Sequence, residues 1–386
     1  MTTPQYDVCA AINYYAPYVN GQTETARQVA EGLARRGWRV TVVAGRHDPD
    51  LPSFERLGGV DVHRCRVVGR VGRGLVSPTF APTVRRLGRR SRVVHLHLPM
   101  LEAGLVAAPP RPAPLVLTHH IDLWLPPSRV NDVARQVVAG STSYALARSA
   151  AVVVNSEDQA RGSRFWPRLR DLRWEPIPPP CLDRRGGAPA FRDGPGPHIG
   201  FLGRLVPDKG IDHLLAAFAG MPANARLLVA GDFLGFAGDN LMERVRAAAR
   251  RDPRIQVLGM LSGRQIDDFY ASIDVFALPS EAESFGIAQT EAMMCGIPSV
   301  TTDLPGGRQP VAATGLGLLI PPRDPDQLRA ALLRAAAFDA TRRAAGAART
   351  VELFALDRSL DRYESLLREA IGPGFVPGAV APGVTR

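Results

Sequence analysis

The chain has 386 residues, of which 45% are hydrophobic and 22% charged, with a formal net charge of +10. That length supports about two domains with sizeable cores, and the composition is that of an ordinary globular protein. No apolar run approaches the ~20 residues of a membrane-spanning helix; the segment Met1–Asp7 lacks the basic flank and apolar core of a secretion signal; and Cys9, Cys65, Cys181 and Cys295 are scattered without a CxxC pair, as in a cytosolic protein with reduced thiols.

The elements alternate along the first half. A strand over Val8–Ile12 is followed by a helix from about Thr23 to Arg36 and strands at Arg39–Ala44 and Val60–Val67. A basic helix at Thr83–Arg90 leads to the strand Arg92–His97. The strand Pro114–His119, a long helix near Asn131–Arg148 and the short strand Ala151–Val154 complete the series. Continuous apolar runs rich in β-branched residues suit parallel strands covered on both faces.

Pro176-Ile177-Pro178-Pro179-Pro180, Arg184-Arg185-Gly186-Gly187 and Gly194-Pro195-Gly196-Pro197 then read as a Pro/Gly-rich break, with the linker proper at 181–197. A second series begins at His198–Leu202 and continues through strands at Arg226–Ala230, Ile255–Leu258, Asp274–Leu278 and Pro298–Thr301. Asp324-Pro325 opens a helix to Phe338 as an N-cap followed by proline at the first helical position. Leu356–Ile371 is a last amphipathic helix, and 372–386 reads as a disordered tail. The expected fold class is α/β, with two Rossmann-like doubly wound domains, 1–180 and 198–355.

Charge is uneven: residues 1–180 hold 24 Arg against 14 Asp and Glu, while residues 181–386 balance. Arg64, Arg66, Arg70 and Arg73, then Arg85, Arg86, Arg89, Arg90 and Arg92, are the densest part. Such a patch suits peripheral contact with anionic lipid or an acidic acceptor, and equally a plain solvated surface. Nucleic acid is disfavoured, because no interleaved set of stacking aromatics accompanies the arginines.

The stretch Glu283-Ser284-Phe285-Gly286-Ile287-Ala288-Gln289-Thr290-Glu291-Ala292 follows the apolar strand ending at Leu278. A loop that becomes a helix after a strand presents unpaired N–H groups and a positive dipole end, which favours phosphate. Glu283 can hold a polyol on one side of it, and Glu291, about 12 Å further along the helix, a different one. A ligand with hydroxyls on both sides of a diphosphate is a nucleotide sugar. The only lysine, Lys209, stands in Gly203-Arg204-Leu205-Val206-Pro207-Asp208-Lys209-Gly210 among 46 arginines, which suggests a specific demand for a compact cation there.

With these residues in place the chain resembles a GT-B-fold retaining glycosyltransferase of family 4 (glycosyltransferase group 1), over roughly residues 7–370. Phe201-Leu202-Gly203-Arg204 with Asp208-Lys209-Gly210, Val229-Ala230-Gly231-Asp232, Glu283 to Ala292, and Gly296-Ile297-Pro298 with Gly306-Gly307 carry the resemblance in this order. It implies that Glu283 contacts the donor sugar, Glu291 the ribose, and Arg204 and Lys209 the diphosphate, with Gly231, Phe285, Gly286 and Ile287 also on the donor side. In the first half it implies a glycine-rich loop at Tyr15–Gly21, where Asn20-Gly21 replaces the family's paired glycine, and a functional histidine at His120, with His119 as its structural neighbour. It further implies that the two domains face across a cleft, with 356–371 crossing back to the first, and it implies retention of configuration by front-side attack, no metal and no cofactor. The donor is a nucleotide-diphosphate sugar, UDP-linked first and GDP-linked second; the hydroxyl acceptor (lipid, polysaccharide or secondary metabolite) is unassigned. An epimerase on the same donors and a catalytically silent nucleotide-sugar-binding protein are the alternatives.

Three other features read more plainly. His95 and His97, two apart on a strand, share a face and line an acceptor cleft or simply pack. Asp48-Pro49-Asp50 and Asp324-Pro325-Asp326 imitate a metal-binding Asp-x-Asp but read as a polar turn and a helix cap. Met293-Met294-Cys295 reads as helix core against a sheet.

Overall fold

A computed structural model describes residues 4–71, 74–110, 113–123, 128–231 and 241–378. Arg73, Asp232 and the tail from 379 onward lie outside the described residues. The chain divides into two compact units, Met1–Pro180 with Asp357–Arg386, and Cys181–Leu356.

In the first unit the valine-rich runs become strands β1 (Tyr6–Ala11), β2 (Val40–Arg46), β3 (Phe54–Leu57), β4 (Val60–Arg66), β5 (Gly69–Val71), β6 (Gly74–Val76), β7 (Ser91–Leu98), β8 (Leu115–His119), β9 (Ala151–Val154) and β10 (Trp174–Pro176). Among the described residues they form an eight-stranded sheet, ordered β10-β9-β8-β7-β1-β2-β4-β3, and a separate β5–β6 pair. Within the large sheet only β3 runs antiparallel to its neighbour. Val8 sits opposite both Val40 and Val93, so β1 is central. Strand order reverses around β1, and the crevice outside the carboxyl ends of β7 and β1 is where a doubly wound sheet accepts a ligand. Both faces are covered. Val29 and Leu33 of the helix Gly21–Arg35 pack on one, and Phe80, Val84 and Leu87 of the helix Phe80–Gly88 on the other.

The helix Leu356–Ile371 joins this unit through Tyr363, Leu366 and Leu367, which share a cluster with Val29 and Leu33. Arg36 reaches Asp361 at 2.7 Å and Glu364 at 3.1 Å. Gly32 makes the approach possible, because a Cβ there would lie 2.5 Å from Leu360 Cδ1. The segment just beyond is a correction to the expected disordered tail. Up to Gly378 it packs on the first unit, with Phe375 edge-on to Trp38 at 4.9 Å and its carbonyl accepting from Arg368. One aromatic side chain with an apolar neighbour overrides the Pro/Gly composition.

The second unit holds β11 (His198–Leu202), β12 (Arg226–Ala230), β13 (Ile255–Gly259), β14 (Val275–Leu278), β15 (Ser299–Thr302) and β16 (Gly317–Ile320). They form a parallel sheet ordered β13-β12-β11-β14-β15-β16. Its order reverses between β11 and β14, so the loops that follow these two strands meet at the switch point.

The stretch that reads as a linker is instead part of the folded units. Ile177 is fully buried and donates its N–H to Val154 O at 2.9 Å. Residues 181–197 belong to the second unit, with the N–H of Ala188 donating to Asp268 at 2.7 Å and that of Phe191 to Ser272 Oγ at 3.0 Å. Gly187 passes so close to the backbone of Asp267 that a Cβ would lie 2.2 Å from it. Gly187 and Gly196 serve close packing here rather than flexibility. Among the described residues no helix is long and apolar enough to cross a membrane.

Replacing Phe375 with Ala uncovers Trp38 and is expected to lower unfolding free energy by about 1–2 kcal/mol in urea titration; an unchanged midpoint would mean the segment does not pack.

Candidate functional site

The loop after β11 carries Arg204 and Lys209, and the loop after β14 carries Glu283. Pro207–Lys209 form one 3-10 turn, closed by Gly210 at φ 68°. A Cβ on Gly210 would lie 2.0 Å from Pro279 O, so only glycine lets the turn rest against the end of β14. The two loops are also stitched by backbone, Glu281 N–H donating to Asp208 O at 2.9 Å. Lys209 Nζ then donates to Glu283 Oε2 at 2.7 Å, with both side chains 15% exposed. Burial alone would raise the pKa of Glu283. The charge of Lys209, their hydrogen bond and the N–H groups of Ser284 and Phe285 overcome this and hold it below the ordinary carboxylate value. Arg204, earlier in the same loop, lies 3.8 Å from Asp208. Gly231, at φ 126°, passes the end of β11 so closely that a Cβ would lie 1.9 Å from Gly203 O.

Beyond Glu283 the chain turns through Gly286 at φ 88° into the helix Ile287–Met294. Phe285 is buried against Phe354, ring centroids 5.3 Å apart. The N–H groups of the first helical turn have no partner within the helix and face the dipole's positive end. Gly306-Gly307 back this loop, since a Cβ on Gly307 would lie 2.9 Å from Glu283 Cβ. Gln289, missed in the sequence, holds the assembly together. Its fully buried amide donates to Phe285 O at 3.0 Å and Gly307 O at 2.6 Å and accepts from Ser299 Oγ at 3.0 Å. A buried polar residue mid-helix was its only signal.

Glu291, on the same helix, is engaged by groups of the protein itself. It is buried, Oε1 accepts from Leu182 N–H at 3.1 Å, and Oε2 accepts from Arg184 Nε at 3.2 Å and from Tyr270 OH at 3.4 Å. Arg184 also reaches Asp267 at 3.3 Å. It went unnoticed because it lies in the stretch that reads as linker. A cavity of about 260 Å³ bounded by Arg192, Arg226 and Arg254 lies at the amino ends of β12 and β13, away from these loops.

In the first unit Gly21 opens the helix Gly21–Arg35 at the carboxyl side of β1. Asn20 is its cap, accepting from Thr23 N–H at 2.8 Å while Thr23 Oγ1 accepts from Asn20 N–H at 2.9 Å. His120 is buried, its Nε2 paired with His97 Nδ1 at 2.9 Å. His95 pairs with Thr118 Oγ1 at 2.7 Å, and His119 with Asp122 at 3.0 Å. Burial pushes His95 down to about 4 and, with the nearby imidazoles, His120 to about 3; His97 is held well below its usual value for the same reasons. All three are therefore neutral near pH 7. Among the described residues no group of three or more His, Cys, Asp or Glu is placed to hold a metal ion. Asp48 Oδ1 accepts Asp50 N–H at 3.0 Å, as in a turn, and Asp324 caps its helix on Gln327 N–H at 2.9 Å.

The arginine-rich stretch is not one surface. Arg64 is buried, ion-paired with Glu55 and bonded to Ala16 O at 2.6 Å. Arg70 bonds His47 O, Arg85 bonds the carbonyls of Leu105 and Ala108, and Arg92 lies 3.5 Å from the buried Asp7. Arg66, Arg86, Arg89 and Arg90 remain exposed.

Residues 190–349 match the family described as Glycosyl transferases group 1, and residues 20–180 match the Glycosyl transferase 4-like domain. A GDP-mannose-dependent alpha-mannosyltransferase of Mycobacterium tuberculosis is 30% identical over 339 residues, 80% of this chain and 82% of the relative. A 2-deoxystreptamine N-acetyl-D-glucosaminyltransferase of Streptomyces fradiae is 30% identical over 74% of this chain and 73% of the relative. Among solved structures, sucrose-phosphate synthase of Thermosynechococcus elongatus superposes with a TM-score of 0.78 at 21% identity, covering 95% of this chain and 99% of that one. Anabaena HepE in complex with UDP-glucose gives 0.71 at 18% identity, covering 94% and 99%.

The buried imidazoles predict an acid sensitivity. In the unfolded chain each takes up a proton near pH 6.5, whereas in the folded form His95 resists until about pH 4 and His120 until about pH 3. Their stabilising contribution is complete above pH 6.5 and is lost as pH falls from there toward the folded values, each imidazole adding up to about 1.4 kcal/mol per pH unit. Urea midpoints from pH 7.5 to 4.5 should fall more steeply for the wild type than for His95→Phe; parallel profiles would contradict the burial.

Proposed function

The chain belongs to the group 1 glycosyl transferases of GT-B fold, and we propose that it moves a sugar from a nucleotide-diphosphate sugar to a hydroxyl acceptor with retention and without a metal. The observation that carries this reading is the meeting of Lys209 and Glu283, at 2.7 Å, beside the amino end of the helix Ile287–Met294 and at the switch point of a parallel sheet. A cation and a helix N-terminus suit a diphosphate, and an ionised carboxylate next to them suits sugar hydroxyls.

In this reading Lys209, Arg204 and the first N–H groups of that helix take the charge that builds on the departing diphosphate. Glu283 grips the donor sugar and orients its anomeric carbon. The bond from that carbon to the phosphate oxygen breaks as the acceptor oxygen bonds on the same face, and the acceptor's proton passes to the phosphate oxygen released. Glu291, held by Arg184, receives the ribose. Gly231, Phe285, Gly286 and Ile287 shape the donor site by backbone. In the first unit we assign Gly21 to close approach of the backbone to phosphate and neutral His120 to orienting the reacting sugar or the acceptor. No cofactor is required. The protein works in the cytoplasm, which agrees with the free thiols of Cys9, Cys65, Cys181 and Cys295.

The naming of the mycobacterial relative supports testing GDP-mannose first, and the UDP-glucose bound by Anabaena HepE keeps UDP-linked donors beside it.

Transfer or slow donor hydrolysis should be measured with GDP-mannose and UDP-glucose, with and without EDTA. Lys209→Ala and Glu283→Ala should each lower turnover by about 10²–10³-fold with circular dichroism unchanged, and EDTA should have no effect. Wild-type turnover in both variants would refute the assignment, and loss of activity in EDTA would refute metal independence.

A further inference from the structure

One surface of the first unit is unlike the rest. On the helix Arg129–Leu146, Val133, Val137 and Tyr144 are 64%, 51% and 37% exposed. Their spacing of four and seven residues puts them on one face, about 40° apart at most at 100° per residue. Gly140, between them, is also exposed and adds no polar group. The neighbouring helix Ala103–Ala107 extends this face. Gly104 N–H donates to Ser141 Oγ at 2.8 Å, and beside that contact Leu105 is 63% exposed. A cluster of bare aliphatic side chains on adjacent helices is more than the scattered exposure of a normal surface.

Charge identifies what covers it. Arg129 is exposed at the amino end of the stripe, and Arg148 stacks on Tyr144 at 3.6 Å from its ring at the other end. Arg85 lies alongside, its guanidinium on Leu105 O at 3.0 Å. Residues 99–150 contain three acids. Glu102 is buried, Asp122 is bonded to His119 and Ser163, and Asp132 is paired with Arg135. The face is thus apolar with a cationic margin, on a half of the chain, residues 1–180, that carries the whole +10. A second copy would bring two such cationic halves together, which electrostatics opposes. An anionic lipid surface satisfies both features, taking the aliphatic side chains at its boundary and the arginines among its headgroups.

We infer that the exposed face of the helix Arg129–Leu146, with Leu105 beside it, docks on an anionic membrane surface. The surface differs from the Arg64–Arg92 stretch that stands out in the sequence, and the inference does not depend on the transfer reaction.

The full chain should be sedimented with vesicles of phosphatidylcholine alone and with vesicles containing 30% phosphatidylglycerol, an ordinary anionic fraction set at roughly that level to mimic a charged leaflet. It should bind the anionic vesicles and not the neutral ones. Val133→Asp with Val137→Asp, and separately Arg129→Gln with Arg148→Gln, should each weaken binding by about tenfold or more. Phe54→Asp, an exposed apolar residue elsewhere on the unit, should leave it unchanged. Failure of the wild type to bind, equal binding to neutral vesicles, or undiminished binding by both double variants would overturn the inference. So would a wild-type dimer in analytical ultracentrifugation that the Asp variant converts to monomer, since a second copy would then cover the face.

Discussion

The contact between Lys209 and Glu283 organises the second unit's functional end. It exists because two loops from non-consecutive strands, β11 and β14, emerge side by side where the sheet reverses its order. Their approach is enforced by glycine. At Gly210 and Gly307 a methyl group would lie 2.0 Å from Pro279 O and 2.9 Å from Glu283 Cβ. The bond between Glu281 N–H and Asp208 O fixes the spacing further. The result is one cation and one carboxylate in a nearly dry setting, where each keeps the other charged and removing either leaves an uncompensated charge. Gln289 extends the same order to the helix N-terminus, so the first N–H groups of that helix and the ion pair share one rigid frame.

Much of this was legible in the sequence, for identifiable reasons. The strands Ala151–Val154, His198–Leu202 and Arg226–Ala230 fall where their apolar runs place them, because strands covered on both faces tolerate little else. Lys209 stood out against an all-arginine background, and the Glu283–Glu291 spacing located the loop-to-helix junction. The misses share a cause. Residues 181–197 and 372–378 are rich in Gly and Pro, and composition cannot distinguish a flexible link from a backbone that needs glycine to pack closely. Arg184, and with it the engagement of Glu291, was hidden in one of them. The exposed edge strand Phe54–Leu57 alternates too weakly to be read without its partner β4.

Charge was the least legible feature. A count places the excess in the first half, but only three dimensions show that Arg64 is buried, that Arg70 and Arg85 bond to backbone and that Arg92 lies beside a buried acid. The same half buries His95, His97 and His120 in the neutral form beside the carboxyl ends of β7 and β8. A neutral imidazole can both donate and accept, and here His97 and His120 share one such bond while His95 makes its own to Thr118.

We propose Lys209 as the cation that receives the donor's diphosphate. Calorimetric titration of GDP and of UDP into the wild type and into Lys209→Ala tests it without requiring the acceptor. At least one nucleotide should bind the wild type, with affinity lower by about tenfold or more in the variant. Equal affinity in the two proteins would contradict it.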